Sequence, residues 1–421
     1  MNRILRQKAK EAGVSLLEYL LLRIDQLEKE TSVKRTIFAA CPNSISVLKA
    51  SLISAKRNNA PIKFAATLNQ VDTDGGYTGF TQKEFVDTIR EQARIINFTG
   101  PVIIAVDHGG PWLKDRHRLE GYSYEESMNA VKNSFEKAID AQYDMIHVDP
   151  TIDITLPKGV PIDIDVVAER TVDLIAHCEA HRKSRGLDRI AYEVGTEEVH
   201  GGLADMNVFT RFLNLLRTGL HENKLDDVWP CFVVGKVGTD LHTTMFDPVV
   251  ARQLTDTVVP YGSRIKGHYS DSVDNPEQYP LSGMGAANVG PEFTEREYDG
   301  LIELHNLEQD LFRKGKVAKI SGIKERLWEA VIESDRWKKW LNEDESQDDF
   351  YALEEARQLW LIKTGCRYIW ENPEVVAART KLYANMEHNG IKAEEIVLTS
   401  IGQAMDRYFH TFNLVNLADL L

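Results

Sequence analysis

Eight short apolar runs, most followed by a longer stretch with helical spacing, constrain this chain more than any other feature. They are TIFAAC (36–41), IKFAATL (62–68), VIIAVDH (102–108), MIHVD (145–149), RIAYEVG (189–195), CFVVGKVG (231–238), RIKGHYS (264–270) and AANVG (286–290). Most are rich in β-branched residues, the signature of strands buried on both faces of a parallel sheet. Amphipathic helical patterns separate most of them, for example over 81–96, 123–141 and 164–185. This alternation predicts an α/β fold, a (β/α)8 TIM barrel. A doubly wound open sheet is the competitor, but no G-x-G-x-x-G follows an early strand to support its nucleotide-binding version.

The barrel is expected over 36–300. Residues 1–35 precede it as a helical segment, with Leu16, Leu17, Leu20, Leu21, Ile24 and Leu27 at helical spacing. After about residue 290 the strand-like runs stop, and 301–421 reads as a C-terminal helical extension. Trp328, Trp337, Trp340, Trp360 and Trp370 fall there, and aromatics at helical spacing are expected to pack against the barrel or a second subunit.

A formal net charge of −14 argues against a nucleic-acid partner, which needs clustered Lys and Arg. The apolar stretch 16–24 is short and broken by Glu18 and Arg23, so no membrane span is expected. No cleavable signal pattern precedes it, which makes a cytoplasmic location the default. The four cysteines, Cys41, Cys178, Cys231 and Cys366, form no C-x-x-C pair and point to neither a disulfide framework nor a thiolate zinc site.

Barrel enzymes place their chemistry at the C-terminal ends of the strands, so polar residues that end apolar runs are the candidates. The third run ends in Asp107 and His108, the fourth in Asp149, and the fifth leads through Glu193 to Glu197 and Glu198. The sixth leads to Asp240 and His242, the seventh to His268 and Asp271. Imidazoles and carboxylates gathered from different strands have the composition of a zinc, manganese or similar transition-metal site. His108, His242 and His268 are the candidate ligands; a structural histidine bonded to a neighbouring carbonyl is the alternative for each. His147 lies two residues before Asp149 and shares its side of the strand, which suits a hydrogen-bonded core residue or support for a ligand.

Two loops add candidates for binding substrate. The segment after the second strand carries Asn69, Gln70, Gly75, Gly76 and Tyr77, a backbone able to close over a polyol or approach a phosphate. It then runs into Thr81 and Glu84, a capping box. The turn that begins at Asn288 follows the eighth strand, where barrels often bind phosphate through backbone N–H groups. Lys236 and Lys266 could face the site or reach the surface, since strand parity is not fixed within one residue.

The segments NQVDTDGGYTGFT, VDHGGP, IHVDPT, VGTEEVHGG and NVGPEFT resemble the signature segments of the GatZ/KbaZ family. That family is known as the non-catalytic subunit of class II D-tagatose-1,6-bisphosphate aldolase and includes metal-dependent ketose and ketose-6-phosphate C4-epimerases. The resemblance runs in order from about residue 36 to 300 and extends into the tail at Arg367 and Tyr368. It implies kinship with the zinc-dependent class II aldolases. On that likeness Asp107 is an acid/base and His108 a ligand, while Glu193 lies near the metal and is a further candidate ligand. Gly238 and Thr239 with His242 correspond to a second ligand segment, and His268, Ser270 and Asp271 to a ligand and phosphate segment. Two departures stand out: Thr239 and His242 are one residue further apart than in that pattern, and Tyr269 stands where it has glycine.

The expected function is therefore a divalent-metal-dependent ketose or ketose-6-phosphate C4-epimerase of the fructose/tagatose type, working by retro-aldol or proton-transfer chemistry. Zn, Mn, Co or Ni would serve as cofactor, Asp107 as acid/base, and Glu197 or Asp149 as a further proton relay. Ser270, Asp271 and Asn288 join the loop residues as candidate contacts to a ketose sugar or sugar phosphate. The alternative is a non-catalytic subunit supporting a class II aldolase, and the chain is expected to form a homo-oligomer or a complex with such a subunit. No G-x-x-x-x-G-K-[ST] loop supports a kinase.

Overall fold

The computed structural model describes residues 2–157, 160–195, 205–240, 244–342 and 344–421. Eight parallel strands close into a barrel in sequence order, β1 (Ile37–Ala40), β2 (Ile62–Thr67), β3 (Val102–Gly109), β4 (Met145–Val148), β5 (Ala191–Gly195), β6 (Phe232–Val234), β7 (Arg264–Gly267) and β8 (Ala286–Val289), with β8 pairing back to β1. Each of the eight apolar runs supplies one strand, as the alternation predicts.

Two helices, α1 (Arg3–Glu11) and α2 (Leu16–Thr31), precede the barrel. Around it run α3 (Ile45–Arg57), α4 (Gln82–Ile95), α5 (Asp115–Leu119), α6 (Tyr124–Asp140), α7 (Ile164–Ser184), α8 (Met206–Glu222), α9 (Pro248–Val258), α10 (Gln278–Ser282) and α11 (Pro291–Arg313). Thr81 and Glu84 form the capping box that starts α4, and Ser123 and Glu126 form another that starts α6. The helix that follows β8 is continuous across residue 300. Beyond it come α12 (Ile323–Glu333), α13 (Glu355–Gly365), α14 (Pro373–His388) and α15 (Ala393–Thr411), the last packed against α3 and α11. Among the described residues no helix is long and apolar enough to cross a membrane.

The two ends of the barrel are covered differently. At the N-terminal end the Asn2 side chain bonds the backbone of Val102, Arg6 pairs with Asp144 at 2.6 Å, and Asp25 pairs with Arg264. These contacts all fall at strand starts, so α1 and α2 close the bottom. At the other end, one-turn segments of the extension, Arg336–Trp340 and Cys366–Tyr368, line a cavity that opens over the strand ends. Trp337 and Trp370 are buried, as the aromatic pattern predicts, and Trp340 lies on the cavity wall.

The barrel interior is polar where such barrels are ordinarily filled by branched apolar side chains. Lys63, Asp107, His147, Glu193, Lys266, His268 and Asn288 are all buried. Strand pairing and the two-residue period put Ala39, Ala65, Ala105, Ala191 and Ala286 in the same inward rows. These methyl groups leave the volume that the long charged side chains occupy.

Candidate metal centre and active site

Asp107 and His108 are neighbours on one strand, so regular alternation would send them to opposite faces. A bulge removes that conflict. Val106 pairs with Ile146 and Gly109 with Val148, so three steps along β3 match two along β4. Asp107 and His108 thus share the place opposite His147, and His108 takes up the extra residue with a left-handed φ of +45°. Gly110 lets the chain leave β3 closely against β4, since a Cβ there would lie 1.9 Å from the Asp149 carbonyl oxygen.

Four side chains, Asp107, His108, His147 and His268, offer ligand atoms that all lie within 4.8 Å of one another. His108 Nδ1 lies 2.6 Å from Asp149 Oδ2, which leaves Nε2 as its ligating atom. His147 Nδ1 accepts the His108 backbone N–H at 3.0 Å. Its neutral form therefore carries the proton on Nε2, and burial keeps it neutral by lowering its pKa. His147 thereby supports His108, while its own Nε2 is buried without a hydrogen-bond partner among the described residues. His268 is buried with both ring nitrogens lacking a hydrogen-bond partner among the described residues, and Nε2 stands 3.3 Å from Asp107 Oδ1. Buried unpaired polar atoms are costly, so donors arranged in this way fit a cation.

Beneath this group lies an ion-pair network. Lys266 Nζ contacts Glu193 Oε1 at 2.6 Å and Oε2 at 2.8 Å, and Asp107 Oδ1 at 3.2 Å. Lys63 Nζ is 3.6 Å from Glu193 and makes no hydrogen bond among the described residues. Burial would raise the Asp107 carboxyl, but Lys266, His108 and His268 outweigh it and hold the group well below the usual range. Glu193 is held low in the same way by Lys266, His147 and Lys63. Burial works against the His108 imidazolium, yet Asp107 and the bond to Asp149 lift it to about 9. Burial, then Lys266, push Lys63 down to about 8.

The cavity has a volume of about 520 Å3, a size suited to a small ligand. Asp107, His108, His268, Asp271 and Asn288 line it, as do Asn69, Gln70 and Tyr77. Asn288 donates to Asp107 Oδ2 at 2.9 Å. Tyr77 donates to Asn43 at 2.8 Å and stands edge-on to Tyr368. Gln70 spends its amide on Pro42, Asn43 and the Thr67 backbone, which fixes the loop.

Gly75, Gly76 and Ser270 do not line the cavity. At Gly76, φ is +54° and a Cβ would lie 2.3 Å from the Gln70 carbonyl oxygen, so glycine is needed to form the turn. Asp149 sits behind His108, buried and bonded also to Thr151 at 2.5 Å. Glu193 is committed to Lys266. Glu197, Glu198 and His242 lie outside the described residues. Tyr269, standing where the aldolase pattern has glycine, adopts a left-handed φ of +49° and lines the cavity.

The expectation that backbone N–H groups after β8 bind phosphate needs correction. The Gly290 and Glu292 N–H groups at the start of α11 both donate to Asp271 Oδ1 at 2.9 Å, so a carboxylate of the chain itself already takes them. Sequence reasoning also missed Lys63, Arg118, Arg336 and Lys339, and saw Arg367 only as part of a resemblance. For Lys63 a signal was present, a lone lysine inside an apolar strand.

The fold is similar to that of a probable tagatose 6 phosphate kinase from Sinorhizobium meliloti 1021, with a TM-score of 0.74 at 20% identity, covering 90% of this chain and 100% of that one. It is also similar to a fructose-bisphosphate aldolase from Campylobacter jejuni, with a TM-score of 0.56 at 11% identity, covering 95% of each chain. At these identities the likeness is one of fold. The sequence profile of the D-tagatose-1,6-bisphosphate aldolase subunit GatZ/KbaZ-like family matches residues 22–411, and the chain belongs to that family.

Proposed function

We propose that this protein is a divalent-metal-dependent C4-epimerase acting on a ketose or ketose 6-phosphate of the fructose/tagatose type. The observation that carries the reading is His268, buried with neither ring nitrogen hydrogen-bonded among the described residues, beside Asp107 and His108. His108 through Nε2 and His268 would hold the ion, with His242 as a third imidazole. Zn, Mn, Co and Ni all suit such donors. When bound, the ion supplies Lewis-acid stabilisation of negative charge on the ketose oxygens.

The remaining steps fall to the chain's own residues. Asp149 orients His108. Lys266 keeps Asp107 ionised at neutral pH, in its proton-accepting form. Asp107 takes the C4 hydroxyl proton, and the C3–C4 bond breaks with its electron pair passing into the C2 carbonyl. The aldehyde now formed at C4 turns its other face, the bond re-forms, and Asp107 returns the proton to the C4 oxygen. Glu197 is the further relay suggested by the sequence.

The test is to assay the purified chain alone with fructose, tagatose and their 6-phosphates in the presence of Mn, Co, Ni or Zn. Metal-dependent inversion at C4 is expected, with no solvent deuterium at carbon when the reaction runs in deuterated water. No turnover alone, together with stable complex formation with a class II aldolase chain, would favour a non-catalytic subunit of such an aldolase. Deuterium at carbon would replace bond cleavage with proton transfer.

A further inference from the structure

The cavity has two chemically different ends. The strand ends contribute Asp107, His108 and His268, with Asp240 and Asp271 on the same wall. The wall built by α5 and the C-terminal extension is cationic. Asp115 pairs with Arg118 at 2.7 Å, with Arg336, and with Lys339 at 3.3 Å, so three cations share one carboxylate. Arg367 is a fourth, only 6% exposed. Its guanidinium lies 4.4 Å from the centre of the Trp340 ring and 4.9 Å from that of Tyr368.

The Trp340 and Tyr368 rings pack against the Arg367 guanidinium, and Arg367 lines the cavity. Its Nε and Nη2 have no hydrogen-bond partner, and it makes no ion pair among the described residues. Arg336 is arranged similarly, 4.3 Å from the centre of the Tyr368 ring with its Nε unpartnered. Lys114, also on the wall, is instead neutralised by Asp72 and Asp74. In a chain of net charge −14, positive charge in excess of its local carboxylate is thus gathered on the one cavity that also holds the imidazole cluster.

We propose that Arg367, with Arg336, Lys339 and Arg118, forms the subsite for the terminal phosphate of the substrate, so that the C-terminal extension selects a ketose phosphate over the free ketose. This rests on the ketose reading given above. A dianionic phosphomonoester fits better than a carboxylate, because the uncompensated charge exceeds one and the donors come from several directions. The usual alternative for this fold, the start of the helix after β8, is already filled by Asp271.

The test is calorimetric titration of the protein as purified with fructose, fructose 6-phosphate and the corresponding keto-uronate, with inorganic phosphate as competitor. Fructose 6-phosphate is expected to bind at least about tenfold more tightly than fructose or the uronate, and phosphate to displace it. Arg367→Ala should erase that preference and Arg367→Lys restore part of it, with thermal melts confirming folding. If Arg367→Ala does not fold, Lys339→Ala and the wild-type ligand comparison carry the test. Equal binding of phosphorylated and free sugar, a uronate that matches the phosphate ester, or a preference that survives in Arg367→Ala would overturn the proposal. Phosphate preference without epimerisation leaves this subsite standing and removes the epimerase; epimerisation of free ketose without phosphate preference does the reverse.

Discussion

His108 Nδ1 and Asp149 Oδ2 are 2.6 Å apart, and this one bond decides which nitrogen of His108 faces the cavity. Replacing Asp149 with Ala removes the orienting partner while leaving the ligand in place. Metal affinity is expected to fall about 10–100-fold. Competition with a chromophoric chelator measures it, and an unchanged affinity would mean that the bulge alone orients the ring.

The same pairing sets a pH dependence. The folded state holds His108 at about 9, above the ordinary histidine value of about 6.5. In metal-free protein the imidazolium therefore contributes stability in full below pH ~6.5 and loses it as pH rises through about 9. The advantage of wild type over His108→Asn in urea unfolding should shrink over that window by on the order of 2 kcal/mol. Metal should act in the opposite sense, binding more weakly as pH falls, because the proton on Nε2 must leave. A difference that is flat or grows toward pH 9 would remove the coupling of His108 to Asp107 and Asp149.

Lys63 is a buried ammonium without a hydrogen bond among the described residues, facing a Glu193 whose two oxygens already contact Lys266. Its Nζ lies 5.4 Å from the centre of the Phe232 ring, an environment that methionine can fill. Lys63→Met should stabilise the fold by about 1 kcal/mol, read as a higher urea midpoint with unchanged slope. Destabilisation would show that the Lys63–Glu193 pair more than offsets its desolvation.

Gly110 tests the close packing behind the site. The Cβ of an alanine there would overlap the Asp149 carbonyl, which is backbone and cannot rotate away. Gly110→Ala should cost about 2–4 kcal/mol and weaken metal binding together with stability, because Asp149 must move. Lost stability with intact metal affinity would separate the turn from the orientation of His108.

The barrel was legible because strands buried on both faces of a parallel sheet read as unbroken apolar runs. His108 and His268 were legible as ionisable groups at the ends of such runs. The inward turn of His108 was not, since a bulge is a property of pairing between β3 and β4 and leaves no mark on either strand alone. The roles of Glu193 and Lys266 were ambiguous for a related reason: they become partners only when the barrel closes across its interior. The cationic wall was least visible of all, because Arg118, Arg336 and Arg367 are far apart in sequence and only the docking of the extension joins them.

Metal content and titration of four proteins, wild type, His108→Ala, His268→Ala and Asp107→Asn, test whether one divalent ion at His108 and His268 serves chemistry at Asp107. Wild type is expected to hold about one equivalent, and the two histidine variants to lose it. Asp107→Asn should keep the ion while kcat drops by about 10²–10⁴. Equal metal in wild type and both histidine variants, or turnover that survives full metal removal, would rule out this metal centre.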